Sequence, residues 1–433
     1  MESYTEAIRD YKTILKDNSL RSIGDQALYG LSWVYYEQKD FDLAAANLLI
    51  LIKDYKDSPL LSQARYFEAN IYSQQGRSQK AIDTFNKVAG IKDPVLANES
   101  YFMMGQILFD AKDYLAAIKF FHKVEPIENI QARIQKKIDV WQKRRKTYYK
   151  TGLDLERILQ KILELKAQQR SLAEKEDLKV SAWYRVGLAY YELARYYEAR
   201  IVYKEIRTRF PKSGILKETR HGTILALLEQ KKTDMARKAY LEFLSLYPGD
   251  DLVNNIRFMM GLHFTRQKKF SQAAEEYRAG LEEFPKGGMA EDSQYEAGNC
   301  YFYMNKFELA GRVYQQFIDD CPNSQWLASS KLKLAYCYFA QGQNQEALDR
   351  YLELYRNYQA VEFMDEVIYS IGLCYFELGK YRDSIAELEE LLEKFPKSAF
   401  IPEALYKIGD NYFNLEDFKK AREAYQRLIT ECL

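Results

Sequence analysis

The chain has 433 residues, with 63 Lys+Arg against 62 Asp+Glu and a formal net charge of +1, so no global charge argument favours nucleic acid or a membrane surface. No apolar run approaches the ~20 residues of a membrane span. The opening MESYTEAIRD has no basic stretch followed by an apolar one, so no signal peptide is read there.

A small or substituted position recurs at Ser32, Ala69, Gly105, Gly187, Ile224, Gly261, Gly298, Ala335, Gly372 and Gly409, and from 187 to 409 the step is 37 residues six times over. This position is called the marker below. An alanine follows twelve residues later (Ala44, Ala81, Ala117, Ala199, Ala236, Ala273, Ala310, Ala347, Ala421), and an aromatic residue or Leu four beyond that, as in Phe85, Tyr203, Tyr314 and Leu388. A fixed period of this size signals stacked repeats. A length that would otherwise suggest two or three domains therefore needs no division of the core. Within one unit, Tyr295, Tyr301 and Phe302, then Phe307, Tyr314, Phe317 and Ile318, fit two helical periods. Gly298 and Ala310 let the two helices cross closely, and Pro322 ends the second. Gly76, Gly342 and Gly379 fall at the hairpin, where positive φ suits glycine. Ser58, Ser213, Ser324 and Ser398 are placed to cap the helix that follows.

In chain order, Ala7 precedes Ser32 by 25 residues and Tyr11 takes the aromatic slot. Residues 1–19 therefore read as an orphan second helix, and the chain as a segment of a longer protein. Three units follow over 20–124. The period then breaks, since Gly105 and Gly187 are 82 apart. Ile127, Ile130, Ile134, Ile138 and Trp141 trace one helical face, and Leu155, Ile158, Leu159, Ile162, Leu163 and Leu165 another. Residues 125–176 accordingly predict a lengthened, degenerate hairpin with helices near 128–150 and 153–173, separated at Thr151-Gly152. Its stretch 133–150 holds eight basic residues and one acidic, with Trp141, Tyr148 and Tyr149 among them. That composition suits a solvated face balanced by acidic residues on 154–177, a protein partner, or single-stranded nucleic acid or anionic lipid. Residues 177–433 make seven further units.

No catalytic chemistry emerges. His122, His221 and His263 lie in different units, and HExxH, GxGxxG, GxSxG and phosphate-loop patterns are absent. No cofactor or metal is expected. Cys300, Cys337 and Cys374 are spaced by 37. They fit a small apolar slot on successive first helices better than a thiol ladder, because packed helix axes ~8–10 Å apart are too distant for a disulfide. Cys321 and Cys432 sit at the exposed end of second helices.

These offsets of small residue, Tyr, Ala, aromatic and Pro resemble the tetratricopeptide repeat family over nearly the whole chain. The resemblance implies an all-α, right-handed α-solenoid of stacked helical hairpins without strands. Against the family's usual length of about 34, the three extra residues should extend each first helix by about one turn. Units ending Phe210-Pro-Lys-Ser213 and Phe395-Pro-Lys-Ser398 resemble bacterial cell-envelope members, such as the lipoprotein of the barrel-assembly machine and the periplasmic partner of the Tol–Pal system. That likeness points to the periplasm or envelope, and free thiols to the cytoplasm instead.

In this family first helices line the concave face. Carried over, the resemblance places Asp292, Tyr295, Phe302, Tyr303, Tyr336, Phe339, Glu366, Tyr369, Phe376, Glu377, Glu403, Tyr406 and Phe413 along one groove. The implied ligand is a protein segment with apolar residues among Lys or Arg. The family's carboxylate clamp for chaperone tails needs Lys and Asn. Asn70 and Asn299 match, but Gln63, Asp292, Tyr66 and Tyr295 stand where Lys is needed. The implied role is a non-enzymatic scaffold. A structural spacer, or a regulatory arm of an enzyme lying outside this segment, stays open.

Overall fold

The computed structural model describes residues 2–91, 93–147, 152–175, 177–358 and 361–432. Among them every regular element is helical. Two compact units divide the chain, Met1–Lys232 and Thr233–Leu433. The first holds α1 (Glu2–Lys16), a 3-10 turn (Asn18–Ile23), α2 (Gly24–Glu37), α3 (Phe41–Asp54), α4 (Leu61–Gln74), α5 (Ser78–Ala89), α6 (Pro94–Asp110) and α7 (Tyr114–Lys123). It continues with α8 (Ile127–Thr147), α9 (Gly152–Ala173), α10 (Leu178–Glu192), α11 (Tyr196–Arg209) and α12 (Leu216–Glu229). The second holds α13 (Thr233–Leu246), α14 (Asp251–Arg266), α15 (Phe270–Glu283), α16 (Ala290–Tyr303), α17 (Phe307–Asp320) and α18 (Leu327–Ala340). It ends with α19 (Asn344–Asn357), α20 (Met364–Glu377), α21 (Tyr381–Lys394), α22 (Ile401–Asn414) and α23 (Phe418–Cys432).

Each hairpin that carries the marker turns on one residue in the left-handed region, seven after it. Gly76, Gly342 and Gly379 occupy it at φ 71, 75 and 72°. Lys39, Lys112, Ala194, Lys231, Lys268, Asn305 and Glu416 occupy the same slot at φ 56–62°. The next amide closes the helix end on a carbonyl five residues back, as in Asp40 N–H to Tyr35 O at 2.9 Å and Lys306 N–H to Tyr301 O at 2.9 Å. That bond satisfies a carbonyl the helix would otherwise leave open. Six of the seven side-chain-bearing residues lack even asparagine's local compensation, so the turn forms against a steric cost.

The two helices of a hairpin meet ring to backbone. A Cβ on Gly187, Gly261, Gly298 or Gly409 would lie 2.3–2.7 Å from a ring carbon of Tyr203, Tyr277, Tyr314 or Tyr425, the aromatic sixteen residues on. The alanine slot is sealed, at 0 % exposure for Ala44, Ala81, Ala117, Ala199, Ala236, Ala273, Ala310 and Ala347. Ser384 replaces it once, and there its hydroxyl donates to the Gly372 carbonyl at 2.8 Å.

The link between hairpins differs from expectation. First helices such as α16, α18, α20 and α22 have 14 residues, no more than the second helices α17, α19 and α21. The longer period goes instead into the 321–326 and 395–400 links, where the proline forces the chain out of helix and two turns follow. The serines cap these turns and not the helix proper, accepting from Leu60 N–H at 3.1 Å, Trp326 N–H at 3.0 Å and Phe400 N–H at 3.1 Å. Each also donates back to the preceding first helix. Ser58 Oγ bonds Asp25 Oδ2 at 2.5 Å, Ser398 Oγ bonds Asp365 Oδ2 at 2.6 Å, and Ser324 Oγ bonds Glu291. Where Gly287 replaces the serine, Asn254 fills its space, and a Cβ would sit 2.3 Å from Asn254 Nδ2. A polar residue seven before the marker thus ties one hairpin to the next.

Residues 127–173 form a pair of longer helices, with Ile130, Ile134 and Ile138 packed against Leu165 and Leu172. Of the second apolar face, Ile158, Ile162 and Leu165 are buried, but Leu159 and Leu163 are 37 % and 61 % exposed. Tyr148, Tyr149 and Thr151 lie outside the described residues. At the break in period, buried Lys179 donates to the Val124 carbonyl at 2.7 Å and Asn98 bonds both the N–H and the C=O of Glu125. These bonds fasten the 124–126 link.

Two expectations follow. Gly261→Ala drives a methyl into Tyr277 and should cost about 1–3 kcal/mol, whereas Lys268→Gly relieves the left-handed turn and should gain about 1 kcal/mol. Urea midpoints moving in opposite directions would bear this out, and equal midpoints would not. Separately, Cys300, Cys337 and Cys374 are buried, and burial raises their thiols to about 11, 12 and 12. Reactivity needs the thiolate, so in the native protein these three should resist a thiol reagent that labels half-buried Cys321. The side chain of Cys432 lies outside the described residues.

Candidate functional site

The thirteen groove residues sit on α16, α18, α20 and α22, and the structure sorts them into three groups. Asp292 and Tyr295 are taken up by the link. The Trp326 indole N–H donates to Asp292 Oδ1 at 2.9 Å, and the Trp326 ring stacks on Tyr295 at 4.9 Å and 7°. Tyr295 is left 7 % exposed, so this end of the expected groove is filled by the protein's own tryptophan.

A second group converges. Tyr336 and Phe339 of α18 face Glu366 and Tyr369 of α20 across a cavity of about 110 Å³, closed behind by Tyr351 and Phe400. Phe400 stacks on Tyr369 at 5.1 Å and 18°. Tyr336 remains 40 % exposed and meets Phe302 at 5.1 Å and Phe307 at 5.8 Å. Burial raises the Glu366 carboxyl, Asp365 adds to the rise, and Lys333 works against it. The result is a small aromatic recess with one half-buried carboxylate.

The third group flanks the recess. Tyr303, 56 % exposed, stacks on Phe270 at 5.2 Å. Phe376 packs on Tyr381 at 5.7 Å, Tyr406 on Tyr425 at 5.8 Å and Phe413 on Phe418 at 5.4 Å. Glu377 and Glu403 are exposed. Every ring therefore has an internal partner, and the open ones offer a second face outward.

Two lysines escaped the sequence reading. Lys333 Nζ donates to Asn299 Oδ1 and to Tyr295 OH at 3.3 Å and lies 5.0 Å above the Tyr295 ring, while burial lowers its pKa. Lys407 pairs with Asp410 at 3.1 Å and sits 4.2 Å above the Phe376 ring. A lone lysine inside an amphipathic period carries no sequence signal; only the fold shows that both point among aromatic rings.

A larger cavity, about 370 Å³, lies in the first unit, where Tyr66 and Phe102 face Ile127, Ile130, Leu172 and Leu178. Its carboxylate, Glu99, already pairs with Lys175 at 2.7 Å, so it offers apolar walls without a spare orienting charge. His263 bonds Thr233 Oγ1 at 2.8 Å and is buried, a structural role. Among the described residues no His, Cys, Asp and Glu side chains cluster as a metal site, and no helix is long and apolar enough to cross a membrane.

Comparison with known proteins places this geometry. Tetratricopeptide repeat profiles match residues 1–59, 34–95 and 369–432, then 292–324 and 329–359, and 99–125. The profile of the YfiO outer membrane lipoprotein matches 176–278. No curated protein matches the chain significantly. Among solved structures, the C-terminal part of a tetratricopeptide-repeat protein from Cytophaga hutchinsonii is 16 % identical over 70 % of this chain and 99 % of its own, with a TM-score of 0.48. MamA is 18 % identical over 41 % and 90 %, with a TM-score of 0.36. The APC/C hetero-tetramer Cut9–Hcn1 is 15 % identical over 95 % and 94 %, with a TM-score of 0.32. At those scores the structures bear on no function. The repeat profiles cover more than half of the sequence, and the chain belongs to the tetratricopeptide repeat family, all-α hairpin stacks that serve as protein–protein interaction scaffolds.

Proposed function

We propose that the first-helix face of α16–α22 binds a segment of another protein, with a Lys or Arg side chain of that partner seated in the Tyr336–Phe339–Tyr369 recess. The carrying observation is the half-buried Glu366 carboxylate inside aromatic walls. Aromatic faces attract a desolvated cation, and the carboxylate gives it a charge-assisted hydrogen bond. The exposed rings of Tyr303, Tyr406 and Phe413 supply apolar area for the flanking residues of the segment. Exposed Glu377 and Glu403 disfavour an acidic one. Likeness of 176–278 to an outer membrane lipoprotein supports an assembly at a bacterial envelope as the setting.

Glu366→Gln keeps the shape and removes the charge. Fluorescence anisotropy with peptides carrying Lys or Arg beside Leu should then show binding weakened about tenfold, roughly 1.4 kcal/mol. Peptides with Glu in place of Lys should not bind either protein. Equal affinity for wild type and Glu366→Gln would remove the recess as the site.

A further inference from the structure

The near-zero net charge conceals two oppositely charged halves. Residues 1–232 carry 40 Lys+Arg and 30 Asp+Glu, and residues 233–433 carry 23 and 32, so the units hold +10 and −9. Most of the positive excess lies on α8 and α9, since residues 127–175 have 13 basic and 6 acidic side chains. Acidic residues on 154–177 do not neutralise this hairpin. The α9 helix brings its own Arg157, Lys161, Lys166 and Arg170, and Glu164 is held within α9 by Lys161 at 2.8 Å. On α8, Asp139 accepts from Gln135 at 2.8 Å. Lys136, Lys137, Lys143 and Arg144 are all exposed, at three and four residues either side of Val140, itself 53 % exposed. Helical spacing puts these five on one face.

We propose that this face of α8 in one copy of the chain docks on the α16–α22 groove of a second copy. The inference rests on the groove reading above and names its partner. The groove calls for a cation flanked by aliphatic surface, and α8 presents cations around Val140. Opposite unit charges steer the two copies together. An anionic bilayer or nucleic acid would attract the first unit while repelling the second, whereas a second copy uses both. The two surfaces differ, so the contact is heterologous, and each copy offers both halves of it.

Sedimentation velocity on the full chain tests this. In about 50 mM salt the weight-average mass should rise with concentration above that of the monomer, and in about 500 mM salt it should fall back to the monomer. Reversing the hairpin (K136E, K137E, K143E, R144E) should give monomers, as should reversing the groove (E366K, E377K, E403K). Mixing the two variants should restore a complex, because each then meets its opposite charge. Circular dichroism checks that both fold. Wild type that stays monomeric in low salt overturns the proposal, and the groove reading survives if Lys–Leu peptides still lose affinity to Glu366→Gln. A groove-reversed protein that associates like wild type overturns self-docking, and the groove reading again stands or falls on the peptide affinities. Monomeric wild type that binds phosphatidylglycerol vesicles or an oligonucleotide through the hairpin overturns self-docking in favour of a polyanion.

Discussion

The contact on which everything else depends is an aromatic ring laid on a stretch of helix that has no side chain. Tyr203, Tyr277 and Tyr314 are among the largest fully buried side chains, and each occupies the volume a Cβ on the opposing marker glycine would need. Close approach of two helices requires small residues on one and a filling group on the other. With the ring on that side, Tyr369 and Tyr406 three before the marker and Phe302, Phe339, Phe376 and Phe413 four after it keep part of their surface open, whereas Tyr295 and Leu332 are buried. The groove is therefore a by-product of how a hairpin closes. Its aromatic content follows from the same packing, since Tyr369 and Phe376 rest on Phe400 and Tyr381.

The link then decides which groove residues stay available. Asp25, Glu291 and Asp365 draw the following serine back toward their own helix, and this fixes where the residue two beyond the serine falls. At Trp326 the ring is wide enough to cover Tyr295 and its indole N–H reaches Asp292. At Phe400 there is no donor and a smaller ring, so Tyr369 is stacked yet still half open. Two hairpins with the same backbone thus differ in what they leave exposed through one link side chain. A part-buried carboxylate–serine bond such as Asp25–Ser58 or Asp365–Ser398 contributes about 1.5–3 kcal/mol, and repeated between hairpins it sets register as well as stability.

The fold was legible because repetition multiplies weak signals. Any one of Gly298, Ala310 and Tyr314 says little, but the same triad at a step of 37 specifies hairpin, crossing and stack together. What repetition could not convey lay in positions that do not repeat. Lysine, alanine and glutamate in the left-handed turn follow no propensity, because the tertiary stack imposes that φ. The capture of Tyr295 by Trp326 depends on the path of a link that no periodicity describes. The opposite charges of the two units were hidden by a sum over the whole chain.

That division suggests where recognition in such an array resides. Slots held constant from unit to unit are spent on stacking, and changing them costs stability before it alters binding. Slots that vary are free to carry specificity. Two before the marker stand Glu296, Lys333, Ser370 and Lys407, and six before stand Asp292, Ser329, Glu366 and Glu403. The recess exists because Tyr336 and Glu366 fall on neighbouring first helices where Asn299 and Ser329 stand one unit earlier. Single exposed contacts of this kind are worth about 1 kcal/mol or less, too little for affinity on their own. Several of them desolvated together inside one aromatic enclosure are worth more than their sum in water. On the proposed function, the array gains selectivity by breaking its own pattern at one place, and α18–α20 is where this chain breaks it.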